Sequence, residues 1–307
     1  MRYALAKTLI NCTKYFILDG NTVSKSKQHI ELVKHLNPFK TANLIYDRAY
    51  YAYLFPYLSA SFSTEEKREI YIHHYAFLRR TLSQEYLGLL YQCGIECFKE
   101  QIKEDEFTVL LKGRNTVKEY EGSLSLYFKM NGDTLFTASF SVIPGKVVKV
   151  ADKEVIYIAC MQGAHYWYEQ IRKATKLFRE NDLGVILMRV IEVFAKKFNI
   201  CTALGVSAAN QLSYRAHHDF HKYYSNYDVF WEGIGATLKN GEYVMPLPLP
   251  QKDILLIKQN HRNRTRKKRA KLDEIAAVVE ENLNSVFKCP VAVVQERRKI
   301  SGGALIN

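Results

Sequence analysis

Long apolar runs are missing. No stretch of about 18 uninterrupted apolar residues occurs in the 307-residue chain, so no membrane-spanning helix is expected. The opening MRYALAKTLINCTKYFILDG lacks the apolar core and small-residue cleavage site of a signal peptide, because Lys7, Asn11 and Lys14 interrupt it. Cysteine is sparse as well: Cys12, Cys93, Cys97, Cys160, Cys201 and Cys289 are scattered through a long chain. That pattern excludes the dense disulfide framework of a small secreted domain and points to reduced thiols. A cytoplasmic address follows, with a peripheral position at the inner membrane as its variant. Cys93 and Cys97 have C-x3-C spacing but no second Cys/His pair nearby, so they read as core-facing positions on a helix rather than a zinc site. Internal repeats and zinc-finger, RRM or KH signatures are absent too, which removes the usual modules for reading nucleic-acid bases.

What is present is apolar mass and positive charge. Hydrophobic residues make up 48% of the chain, enough for one large core or two modest ones. The formal charge of +13 calls for an anionic partner: a phosphorylated cofactor, an acyl carrier protein, an acidic membrane surface or nucleic acid.

Periodicity divides the chain into three. Residues 1–114 read as mainly helical, with apolar and aromatic positions every three or four residues in IELVKHL, YDRAYYAYLFPYL, EIYIHHYAFLRRTL and YLGLLYQCGIECFKEQI. Ser63-Thr64-Glu65-Glu66 supplies a capping signal, and the tyrosines Tyr50, Tyr51, Tyr53, Tyr57, Tyr71 and Tyr75 form packing stripes.

Residues 115–250 read as an α/β core. EGSLSLYFKMNGDTLFTASFSVI predicts two strands joined at Asn131-Gly132, and EVIYIACM a third. LGVILMRVIEVFAKKFNI predicts a helix lying on a sheet, its narrow polar face made of Arg189, Glu192, Lys196 and Lys197. With the apolar run CTALGVSA after it, the order is strand, crossover helix, parallel strand. GEYVMPLPLP alternates like an edge strand.

Residues 251–307 hold 13 Lys or Arg against 6 Asp or Glu and read as a basic helical segment with a polar tail. The fold class is therefore α/β (α+β): a helical layer on a mixed sheet with a central parallel crossover, and a basic C-terminal appendage.

Several phrases together resemble one family: EGSLSLYF, the strand ending in MQG, IRKATK before a long helix, GVSAANQ, and YDVFWEGIGA ahead of a run rich in Lys and Arg. They look like the VirK/YbjX family of bacterial proteins, from roughly Tyr71 to Lys271. The resemblance implies a role in virulence, envelope integrity or antimicrobial-peptide resistance, without naming a reaction.

The strand order is similar, further, to GNAT acyltransferases, which hold acyl-CoA phosphates on backbone N–H groups at a strand-to-helix turn. That likeness implies acyl-CoA or acyl carrier protein as donor. Met161, Gln162, Gly163 and Ala164 match the turn, Arg172 adds positive charge, and Asn210 falls near the pantetheine arm. The turn departs from that pattern by following a single glycine with His165, Tyr166, Trp167 and Tyr168. Gly163 equally serves simply to let the chain leave the sheet.

Tyr214, His218 and Asp228 are the candidates for handling a proton at the acceptor. His217 and His221, four apart, share a helix face but lack a third ligand, so no metal is expected. Tyr227, Asp228, Trp231 and Glu232 either line the same cleft or pack the core. In KQNHRNRTRKKRAK, the residues Arg264, Arg266, Lys267, Lys268 and Arg269 are the candidate contacts of a non-enzymatic accessory protein to membrane, nucleic acid or a client protein.

Overall fold

The change of period that separates helix from sheet falls at Gly94. Its φ of +93° ends the helical run in a conformation that suits glycine. The computed structural model describes Tyr53 and residues 56–113, 121–212 and 227–287. Within them lie six helices and eight strands, the strands forming one mixed sheet.

Helix α1 (Thr64–Thr81) starts at the expected signal. Ser63 accepts from the Glu66 N–H, and Glu66 reaches back to the Ser63 N–H, closing a capping box. Helix α2 (Gln84–Gln92) follows, capped by Ser83.

The helical reading of the next segment is corrected. Ile95–Ile102 is strand β1 and Asp105–Gly113 is strand β2, paired antiparallel. DEFTVLLKG buries every second residue, the signature of a strand packed on one face. Cys93 accordingly caps α2, while Cys97 is buried on β1, where burial pushes its thiol up to about 12.

Strands β3 (Leu124–Met130) and β4 (Asp133–Pro144) form the expected hairpin. Asn131 and Gly132 both take positive φ, as a tight two-residue turn matching strand twist requires. Strand β5 (Glu154–Gly163) leads to helix α3 (Tyr168–Leu177) and helix α4 (Leu183–Lys197), and β6 (Thr202–Gly205) returns parallel to β5. Helix α5 (Tyr227–Gly233) precedes strands β7 (Thr237–Lys239) and β8 (Glu242–Pro246). The sheet order is β1-β2-β3-β4-β5-β6-β8-β7, every neighbouring pair but β5–β6 being antiparallel. GEYVMPLPLP is thus an interior strand inserted between β6 and β7, not an edge.

Helix α4 lies on the sheet as its apolar face requires, with Phe194 edge-on to Phe140 at 5.5 Å. Beside it, Phe178 meets Phe107 and Phe128. Helix α6 (Gln259–Val286) is no appendage, because Ile275, Val279 and Leu283, spaced by four, are buried. The polar face of α4 forms the seam to it: Arg189 pairs with Asp273 at 2.7 Å and Lys196 with Glu280 at 2.8 Å. Lys271 ties α6 to β1 through Glu100 at 2.6 Å.

Candidate functional site

Strands β5 and β6 pair over three residues only, ending at Ile158 opposite Gly205, after which the Val206 N–H donates to the Ile158 carbonyl at 2.9 Å. Strand β5 runs five residues further, to Gly163, on β4 alone. The divergence begins at a bulge. Phe140 pairs with Ile158 and Ser139 with Cys160, leaving Ala159 as the extra residue. A bulge raises local twist and ends pairing, so it turns the far half of β5 away from β6.

Two rings one helical turn apart on α5 bridge the split. Trp231 is fully buried, and its Nε1–H donates to the Val206 carbonyl at 2.9 Å. Its ring passes within 2.4 Å of where a Gly205 Cβ would stand, which is why only glycine fits there. Tyr227, also buried, donates its hydroxyl to the Cys160 sulfur at 3.7 Å. Burial raises the Tyr227 phenol far above its ordinary value, with Cys160 and Glu121 adding to the shift, so Tyr227 is a permanent donor.

At the end of β5 the predicted turn sits later than expected. Met161, Gln162 and Gly163 are strand, and the Ala164 N–H donates to the Leu135 carbonyl at 2.8 Å. Helix α3 starts at Tyr168 with no side-chain cap, leaving first-turn N–H groups without an intrahelical partner. Of the bulky residues after Gly163, His165 is exposed, Tyr166 is 92% exposed and Tyr168 73%, while Trp167 packs partly on the core.

The exposed side of α3 carries mixed charge. Trp167, Glu169, Gln170 and Lys173 line a cleft of about 500 Å³ with Asp105, Asn131 and Asp133. The cleft is acidic, and Lys173 is bound to Asp105 at 2.6 Å. The hydrogen bonds from Lys173 and then Asn131 hold the Asp105 carboxyl below its ordinary range. Arg172 and Lys176, four apart and exposed, stand one and two turns beyond Glu169 on the same side of α3, so that side carries both signs of charge. An anion at this helix start is opposed in the cleft by Asp105, Asp133 and Glu169.

Past β6, Ser207 enters a short 3-10 turn, Ala208–Asn210. The Asp228 carboxylate accepts from the Ala208 N–H at 2.7 Å, and the Asn210 amide donates to the Gly241 carbonyl and to Glu242, each at 3.0 Å. Both predicted residues therefore shape the loop beyond the split. Tyr214 and His218 lie outside the described residues, as do Tyr50, Tyr51, His217 and His221.

The sequence reading missed Glu242. It is buried and accepts from the Ser207 N–H at 3.0 Å, from the Asn210 amide, and from the Ser59 and Ser61 hydroxyls at 3.3 and 3.2 Å. Burial raises its carboxyl despite those bonds, and its charge in turn helps raise the buried Tyr157 phenol. Only its place after the Asn240-Gly241 turn marked it in sequence. Among the described residues no group of three His, Cys, Asp or Glu side chains converges as a metal set, and no helix is long and apolar enough to cross a membrane.

The basic run is partly committed within the molecule. Arg264 pairs with Glu180, Arg269 donates to the Lys252 carbonyl, and the Lys268 carbonyl accepts from Asn181 at 3.1 Å. Arg266 and Lys267 are exposed.

The model of a family described as "Protein of unknown function (DUF535)" matches residues 6–281. No curated protein and no solved structure matches the chain at a significant level.

Proposed function

Since the chain belongs to the DUF535 family, which is the VirK/YbjX family, we propose that it is a GNAT-like acyltransferase supporting virulence, envelope integrity or antimicrobial-peptide resistance. Its donor is acyl-CoA or acyl carrier protein. The observation that carries this reading is the early end of β5–β6 pairing, at Ile158 and Gly205, beside the start of an uncapped helix. An open end of parallel strands at a change of strand order is where ligands of α/β sheets bind.

In this reading the donor's phosphates meet the first-turn N–H groups of α3 from the side of Arg172 and Lys176, and Gln162 flanks the arm. The acceptor nucleophile attacks the thioester carbonyl. The carbon–sulfur bond breaks, the acyl group stays on the acceptor, and the pantetheine sulfur leaves as thiolate and is reprotonated. One of Tyr214, His218 or Asp228 handles the proton at the acceptor, His218 or Asp228 as a base and Tyr214 as an acid. Tyr227 and Trp231 form the floor of the split, so the reacting carbonyl lies above them.

Calorimetric titration of the full chain with CoA, acetyl-CoA and acyl-loaded carrier protein tests this. Binding that weakens about tenfold in the Arg172→Ala/Lys176→Ala variant is expected, as for loss of charge-assisted phosphate contacts. Absence of binding by all three ends the reading.

A further inference from the structure

A second surface shows a different chemistry. Between β8 and α6 the chain runs Lys252-Asp253-Ile254-Leu255-Leu256-Ile257-Lys258, and its centre is a 3-10 turn, Ile254–Leu256. Leu255 is 65% exposed and Leu256 69%, two adjacent large apolar side chains directed at solvent.

They are held out by a built turn rather than a loose loop. Asp253 caps it through the Leu255 N–H at 2.9 Å. Arg262 clamps it from α6, donating to the Leu255 carbonyl at 2.7 Å and the Ile257 carbonyl at 2.8 Å. Arg269 adds a third bond, to the Lys252 carbonyl.

At 3.6 residues per turn, positions 262, 266 and 269 share one stripe of α6. Arg262 and Arg269 reach the turn from that stripe, so Arg266, exposed between them, faces the same side. Lys258 closes the other end. Residues 251–270 carry eight Lys or Arg against Asp253 alone. An apolar pair on a rigid turn thus rises from a rim of cations.

We propose that this surface seats the protein on an anionic lipid bilayer, Leu255 and Leu256 entering the acyl boundary while Lys258 and Arg266 meet headgroup phosphates. The two features act together: apolar insertion and attraction to anionic lipid each add to interfacial binding. Nucleic acid fits less well. Single-strand binders pair cations with aromatic stacking platforms, and residues 251–270 contain no Phe, Tyr or Trp. The surface uses none of the residues named for the proposed donor site, and the two readings are tested separately.

Co-sedimentation of the full chain with vesicles of phosphatidylcholine alone, or with about a third phosphatidylglycerol, tests the proposal. Binding is expected only to the anionic vesicles and weakens with salt. Leu255→Ser/Leu256→Ser is expected to lower affinity about tenfold or more, and Lys258→Gln/Arg266→Gln by a similar factor. Both pairs are exposed, so unchanged thermal melts confirm that the variants are folded. The proposal is overturned if the wild-type chain ignores anionic vesicles, or if the leucine variant binds them as well as wild type. It is overturned equally if a single-stranded RNA oligonucleotide displaces the protein from vesicles and its own binding is indifferent to the leucines.

Discussion

Trp231 occupies the space that a side chain at Gly205 would need, its ring 2.4 Å from the position of that absent Cβ. The contact joins α5 to the last paired residue of β6, where the two parallel strands part. It makes a glycine without positive φ indispensable for reasons of volume alone.

Gly205→Ala is expected to push the indole out of place and destabilise the protein by about 1–3 kcal/mol, the usual effect of overpacking a core. Trp231 and the half-buried Trp167 are the two tryptophans of the chain. In a Trp167→Phe background the emission of Trp231 therefore reports directly, and a red shift in Gly205→Ala is the expected outcome.

His74 is fully buried and accepts from the Val142 N–H at its Nδ1, 3.1 Å away. Burial, reinforced by His73, lowers it from 6.5 to about 3. The unfolded chain then holds the extra proton between those values, so stability falls as pH drops from about 6.5 toward 3, by about 1.4 kcal/mol per unit at the steepest. His74→Asn keeps an acceptor for Val142 but removes the titration. Urea melts of this variant are expected to lose the dependence between pH 6.5 and 4.5.

Glu154 acts lower on the scale. Burial pushes its carboxyl up, but hydrogen bonds from His73 and Arg80 outweigh burial and hold it at about 2 instead of 4.5. Its folded value is depressed, so its contribution is complete above 4.5 and lost as pH falls toward 2. Glu154→Gln is expected to flatten that acid limb, leaving the His74 region of the curve as in wild type.

Removing Glu242 takes an acceptor from the Ser207 N–H, the Asn210 amide and two serine hydroxyls. Glu242→Ala is expected to cost about 3 kcal/mol, as several buried donors lose a bond. Because Ser59 and Ser61 are among those donors, limited proteolysis is expected to cut near residues 59–61 sooner than in wild type.

Lys271 is nearly buried, paired with Glu100 at 2.6 Å and Glu274 at 2.9 Å, and stands over the Phe178 ring. Lys271→Ala is expected to destabilise the protein by about 2 kcal/mol by leaving Glu100 partly buried and unpaired. A denaturant midpoint shift, with hydrogen exchange rising along α6 first, is the measurement.

Local rules settled much of this protein in its sequence. Ser63 and Glu66 had to cap a helix, Asn131-Gly132 had to turn a hairpin, and the apolar face around Ile186, Val190 and Phe194 had to lie on a sheet, because each depends on residues a few positions apart. The sequence misled at IECFKEQI and DEFTVLLKG. Short apolar segments satisfy both periods, and the choice went to strand once an open sheet edge was present to pair with.

What only the tertiary structure decided were relations between distant segments. Arg189 and Lys196 read as part of a narrow polar face, yet they are the seam to α6 some 84 residues away. Glu242 read only as a position in the strand GEYVMPLPLP until Ser59, Ser207 and Asn210 converged on it. The same holds for the split after Ile158 and for the outward Leu255 and Leu256. Periodicity shows that a residue is apolar or charged, but burial and partnership depend on what folds against it.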